Sequence, residues 1–307
     1  MNRNIRQTLF PLLAALIWGT AFSAQSVATA YMGPLTFNAA RSLVAFLFLL
    51  ALDQIVSRLS PGRKTMFQLD AGERRVLLLG GAACGLALAL AANMQQLGIA
   101  GTSAGKAGFI TAMYIVIVPV LGLFQKKRPT PLLWASVAIA VAGLYFLCVN
   151  EGFRIERSDF YVLICAFLFS LHILVIDRFS AAVDGIQLSC VQFLVAAVLS
   201  GAGMFALEQP SFQALSQCLL PVLYAGFFSS GVGYTLQILA QKDANPTVVS
   251  LLLSLESVFA ALGGAVLLHE RMGSREIVGC VLMLAAVLLA QLPAASGSPR
   301  SGAPSRE

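Results

Sequence analysis

Long apolar runs fill this chain, broken by short polar or Gly/Pro-containing interruptions. A hydrocarbon core about 30 Å thick needs roughly 20 apolar residues per helix. On that measure the pattern predicts about ten spans, at 9–30, 35–56, 76–98, 104–124, 132–149, 160–177, 186–206, 219–240, 247–268 and 276–292. The thinnest separations are Met32-Gly33-Pro34 and Gly101-Thr102-Ser103, each short enough to demand a tight re-entry. Nothing alternates with the period of a barrel strand, and backbone groups in lipid must pair internally, so the spans are helices. The fold class is therefore an all-α polytopic membrane protein.

Composition agrees. Of 307 residues, 58% are hydrophobic and only 11% charged, against about 25% charged in a soluble domain. An ordinary soluble enzyme is thereby excluded. The formal charge of +6 would suggest nucleic acid in a soluble protein, but here the basic residues punctuate apolar runs and report topology instead. With the N-terminus inside, Arg3, Arg6, Arg58, Arg63, Lys64, Arg74, Arg75, Lys126, Lys127, Arg128, Arg178, Lys242, Arg300 and Arg306 fall on the cytoplasmic side. Only Arg154, Arg157, Arg271 and Arg275 fall outside, while Arg41 and Lys106 lie within spans. Both termini are expected in the cytoplasm, with the Ser/Gly/Pro-rich stretch 294–307 a disordered tail.

Arg3 and Arg6 before Leu9 to Ile17 and Ala21-Phe22-Ser23-Ala24 resemble a secretion signal. The segment has a counterpart deep in the chain, however, and is expected to be retained as a span. A shift of 151 residues lays Pro34 to Arg41 over Gly185 to Gln192 and Trp18 over Phe169. A shift near 142 lays Met94-Gln95 over Leu236-Gln237 and Tyr114 over Glu256. The first five spans thus correspond to the last five, giving a repeat over 1–150 and a second over 151–293. Five is odd, so the second copy is inverted in the membrane, an arrangement common in secondary transporters.

These elements carry a resemblance. Leu13 to Thr20 in the first span, Ala40-Arg41 in the second, Thr102 to Thr111 in the fourth, and Leu255 to Ala261 through His269-Glu270-Arg271 in the ninth are similar to the drug/metabolite transporter superfamily, EamA type. The resemblance implies ten helices in two inverted five-helix repeats, and export of small metabolites such as amino acids, amines or nucleobase-like compounds. Ser257 departs from it, standing where many members carry proline after the glutamate, so the sequence does not specify a helix break there.

Ionisable groups deep in a span are costly and point to function. Glu256 lies near the middle of its span, placed either to exchange a proton for a cationic substrate or coupling ion, or to hold two helices by a hydrogen bond. Lys106 either snorkels to headgroups or faces a ligand in its small-residue setting. Arg41 either binds a carboxylate or pairs with carbonyls and an acidic neighbour. Asn93, Gln95 and Gln96, with Gln192 and Gln237, need partners across helices or in a wet cavity. Trp18, Tyr114 and Tyr234 are candidates for stacking on a substrate, and His172 for relaying protons.

The six cysteines read as small hydrophobes, without metal-ligand spacing. With only His172 and His269, no metal site is expected and no cofactor is implied. The stretch from Ala100 to Ala107 fails a phosphate-binding loop at both of those positions, so ATP is not expected to drive the protein directly. Neither a Gly-x-Ser-x-Gly elbow nor a His-Glu-x-x-His helix is present, which argues against an intramembrane enzyme. A channel or lipid scramblase shares the spans without needing alternating access. The expected partners are membrane lipids and a small-molecule substrate, with no nucleic acid. The small-residue face Gly81-Ala82-Ala83-Cys84-Gly85 serves equally within a subunit or between the subunits of a homodimer.

Overall fold

The computed structural model describes residues 3–102, 104–125, 129–148, 156–242, 244–267 and 273–292, and every regular element among them is helical. The elements are α1 (Arg3–Thr29), α2 (Pro34–Leu59), α3 (Ala71–Ile99), α4 (Ala104–Thr111), α5 (Tyr114–Phe124), α6 (Pro131–Cys148) and α7 (Arg157–Phe179). They continue with α8 (Gly185–Leu207), α9 (Phe212–Gln217), α10 (Leu219–Tyr224), a π-helical segment (Ala225–Gly233), α11 (Tyr234–Gln241), α12 (Pro246–Leu253), α13 (Glu256–Leu267) and α14 (Ser274–Ala290). Eight continuous helical stretches are long and apolar enough to cross a membrane. The ninth expected span is covered by α12 and α13, and the tenth by the 17-residue α14. His269-Glu270-Arg271, Lys126-Lys127-Arg128, Ser103, Arg154 and the tail at 294–307 lie outside the described residues.

Two spans break in the middle, at positions 142 residues apart. After α4, the amide of Met113 bonds back three residues to Ile110, and that of Ile115 to Ala112. Pro119, one turn further on, has no N–H to give to the carbonyl of Ile115. After α12, Leu255 bonds to Leu252 and Ser257 to Ser254, again with three-residue spacing. The hydroxyls of Ser250 and Ser254 accompany this turn by donating to the carbonyls of Thr247 and Leu251, competition that loosens a helix. The break therefore forms without the proline that Ser257 replaces.

The helices pack as pairs that recur between the two halves of the chain. α2 lies chiefly on α8 and α6 on α14; α3 packs on α7 as α1 packs on the α10–α11 stretch; and α1 packs on α12 and α13 as α7 packs on α4 and α5. α2 and α8 run antiparallel. At one end the Glu208 carboxylate accepts the amides of Leu35 and Thr36, capping α2. At the other, Arg63 bridges Asp53 and Asp184, 2.9 and 2.8 Å away, while Asp184 caps α8. Asp53 is fully buried and also accepts from Gln187 Nε2 and the Met66 amide.

Close approaches need glycine at a few points. A Cβ on Gly85 would meet Val195 Cβ at 2.6 Å, and one on Gly81 would overlap Val191, so this small-residue face is used within the subunit, between α3 and α8. Gly143 of α6 and Gly279 of α14 face one another in the same manner.

Candidate functional site

At the level of the two breaks lies a cavity of about 40 Å³. α1 contributes Trp18, Ala21, Phe22 and Gln25, which share one helix face by their i, i+3, i+4, i+7 spacing. α2 and α3 add Arg41 and Gln95. The first break supplies Thr111 and Tyr114, and the second Leu253 and Glu256. Phe169 and Ile173 come from α7, Ser229 from the π-helical segment, and Tyr234 and Gln237 from α11. The two registers that align the halves equate much of this wall. A shift of 151 pairs Trp18 with Phe169 and Phe22 with Ile173; a shift of 142 pairs Gln95 with Gln237, Thr111 with Leu253, and Tyr114 with Glu256.

Glu256 is 4% exposed and accepts a 3.3 Å hydrogen bond from the Tyr114 hydroxyl. Trp18 is fixed by donation from Nε1 to the Ser229 carbonyl at 3.0 Å, and its ring lies 4.7 Å from that of Tyr234. A π-helical segment shifts backbone hydrogen bonding and is frequent at functional sites; here its Ser229 carbonyl is available to the indole. Gly19 lets α1 approach α13 at the site, since a Cβ there would stand 2.6 Å from the Glu256 carbonyl oxygen. Gln95 reaches Thr111 Oγ1 at 3.4 Å, and Gln237 donates to Gln241 at 3.0 Å.

Seven of the twelve residues singled out from the sequence meet at this cavity: Trp18, Arg41, Gln95, Tyr114, Tyr234, Gln237 and Glu256. The other five lie off it. Gln96 donates from Nε2 to the Gln25 carbonyl of α1 at 3.1 Å. Asn93 donates to Ala89 and Ser200 and accepts from Asn38, tying α3 to α2 and α8. The 142 and 151 registers equate that Asn38–Asn93 bond with Ser189–Thr235, and the latter pair is also bonded, at 2.9 Å. His172 and Gln192 bond to each other at 3.1 Å, both fully buried. Lys106 pairs with Asp159 of α7, whose other carboxylate oxygen accepts from Thr102.

Phe22, Gln25, Thr111, Phe169, Ile173, Ser229 and Leu253 were not among the candidates. Helical spacing from Trp18 carries the signal for Phe22 and Gln25, and the 151 register that for Phe169 and Ile173. Nothing in the sequence marks Ser229, which enters through the π-helical segment. Among the described residues no group of three or more His, Cys, Asp or Glu side chains is placed to hold a metal.

Apolar helices in this number, packed around a cavity whose wall includes Arg41 and Glu256, define a multi-pass membrane protein. The sequence profile of the EamA-like transporter family matches residues 7–149 and again 157–292, and the chain belongs to that family, within the drug/metabolite transporter superfamily. An uncharacterized transporter of Archaeoglobus fulgidus is 30% identical over 286 residues, which cover 91% of this chain and 84% of the relative. A second uncharacterized transporter, from Clostridium kluyveri, is 21% identical over 213 residues, 66% of this chain and 68% of its own length. One solved crystal structure shares the fold with a TM-score of 0.75 at 16% identity, covering 93% of this chain and 96% of the other.

Proposed function

We propose that the protein is a secondary active transporter that exports small metabolites, amino acids or amines among them, across the cytoplasmic membrane by alternating access, with Glu256 exchanging a proton during the cycle. One observation carries the reading: the cavity lies where two broken helices meet, and Tyr114 and Glu256, the first residues after the two breaks, are bonded across it. Broken helices at the midplane of repeated halves are a recurrent way of building a transport site. The double match of the family profile, the recurrent packing pairs and the antiparallel α2–α8 contact all support two inverted five-helix repeats over 1–150 and 151–293.

A cavity of about 40 Å³ holds little more than a water or two, so the halves must separate to admit cargo. That favours a carrier over a standing pore. The asymmetry of Lys and Arg supports a cytoplasmic side for both termini. The reading is tested by counterflow in sealed proteoliposomes loaded with unlabelled amino acids, amines or nucleobases and given trace labelled compound. The expected result is accumulation with one class and its loss in Glu256→Gln. Absence of accumulation for every class by correctly inserted protein overturns the carrier, and a non-saturable leak would indicate a channel.

A further inference from the structure

The cavity wall contains one basic side chain, Arg41, and it makes no ion pair with the described residues. Arg41 is 4% exposed on α2, with its guanidinium 5.6 Å from the centre of the Phe37 ring. Its Nε is buried without a hydrogen-bond partner among the described residues. The ion pairs among those residues run through Arg63, Lys64 and Lys106. A buried, unpaired guanidinium is strongly unfavourable; yet this one lines the same cavity as Glu256.

The wall also holds unmet acceptors. Gln25 Oε1 and Gln237 Oε1 are buried without a donor, and both residues line the cavity. The site thus presents a bare positive fork and two bare carbonyl oxygens, with Trp18, Phe169 and Tyr234 supplying apolar ring surface among them. A guanidinium fork matches a carboxylate through two parallel hydrogen bonds. A phosphate would bring a second negative charge into a wall that already holds the carboxyl of Glu256, so the single charge of a carboxylate fits better.

We infer that Arg41 anchors a carboxylate of the transported molecule, and that N–H groups, in cargo that has them, meet Gln25 and Gln237. The cargo is then a small zwitterion or organic acid, and a plain amine or neutral base is excluded. This rests on the carrier reading above and narrows it. It also makes Arg41 a specificity-determining residue, whose charge is unpaired until cargo arrives.

The test compares matched compounds that differ in one group: leucine, 3-methylbutylamine, which lacks the carboxylate, and 4-methylpentanoate, which lacks the amine, with the corresponding phenylalanine series alongside. Counterflow by the native protein is expected for the carboxylate-bearing compounds and not for the amines. Arg41→Gln should lower it at least tenfold, and Arg41→Lys should retain part of it. Thermal unfolding in detergent supplies a readout that does not depend on transport. Without ligand, Arg41→Gln should unfold no lower than the native protein, because a buried unpaired charge has been removed; a carboxylate should raise the native Tm and leave that of Arg41→Gln unmoved. Equal carriage of amine and acid, or unchanged carriage of acid by Arg41→Gln, overturns the assignment. If no compound undergoes counterflow, the carrier reading fails, and the ligand-induced Tm shift then decides whether Arg41 binds a carboxylate.

Discussion

The hydroxyl of Tyr114 donates to Oε1 of Glu256 at 3.3 Å, and each residue opens the second half of a broken helix, 142 positions from the other. The bond joins corresponding points of the two halves, so it lies where a separation of those halves must pass. In the proposed cycle, breaking it would expose the carboxyl to incoming cargo. Tyr114→Phe is accordingly expected to lower stability by about 1 kcal/mol, the usual net value of one hydrogen bond. It should slow exchange without abolishing it, whereas Glu256→Gln abolishes it. Unfolding in detergent and counterflow rates for the two variants check this.

The approach of α1 to α13 depends on Gly19. A Cβ there would lie 2.6 Å from the Glu256 carbonyl oxygen and 2.8 Å from the Ala260 amide nitrogen, both backbone atoms that cannot swing aside. Gly19→Ala should destabilise by about 1–3 kcal/mol, as overpacking does, and reduce counterflow. Gly201 of α8 has nothing within 4 Å of its would-be Cβ, so Gly201→Ala should be neutral or stabilising by up to about 1 kcal/mol. Melting curves of the two variants should move in opposite directions or differ by several degrees.

Arg63 is the only basic group among the described residues paired with the buried Asp53 carboxylate. Arg63→Ala should cost about 3 kcal/mol, the penalty for leaving a buried charge uncompensated. Arg63→Lys should recover part of it. Because the cluster holds the loop after α2 against the start of α8, away from the cavity lining, the native and Arg63→Lys proteins should share the same cargo preference.

Lys106 pairs with Asp159 and does not line the cavity. Lys106→Met is therefore expected to lower the Tm while leaving the KM for counterflow within about twofold of native. A large change in KM would instead make Lys106 part of the cargo site.

The spans were legible because hydrophobic length alone announces them. Trp18, Arg41, Gln95, Tyr114, Gln237 and Glu256 were legible because polar or aromatic groups at span depth are conspicuous. The same conspicuousness selected Asn93, Gln192 and His172, which bond to Ser200, Asn38 and each other. A polar residue in an apolar run shows its depth, but not which neighbour it faces. The break before Glu256 was hidden for a different reason: Ser250 and Ser254 accompany it through side-chain bonds to carbonyls, where a proline would have been visible. The π-helical segment at Ala225–Gly233 has no comparable sequence mark, and with it went Ser229.

The central claim is that the cavity between the breaks opens to one side of the membrane at a time. It is tested by placing a single cysteine at Thr111 of the cavity wall, in a background where the six native cysteines are replaced, and labelling it with a membrane-impermeant maleimide from either face of oriented, sealed proteoliposomes. The account predicts labelling from both faces, with cargo on one side changing the two rates in opposite directions. Labelling from one face alone under every condition, or from both at once with no exchange between them, would contradict it.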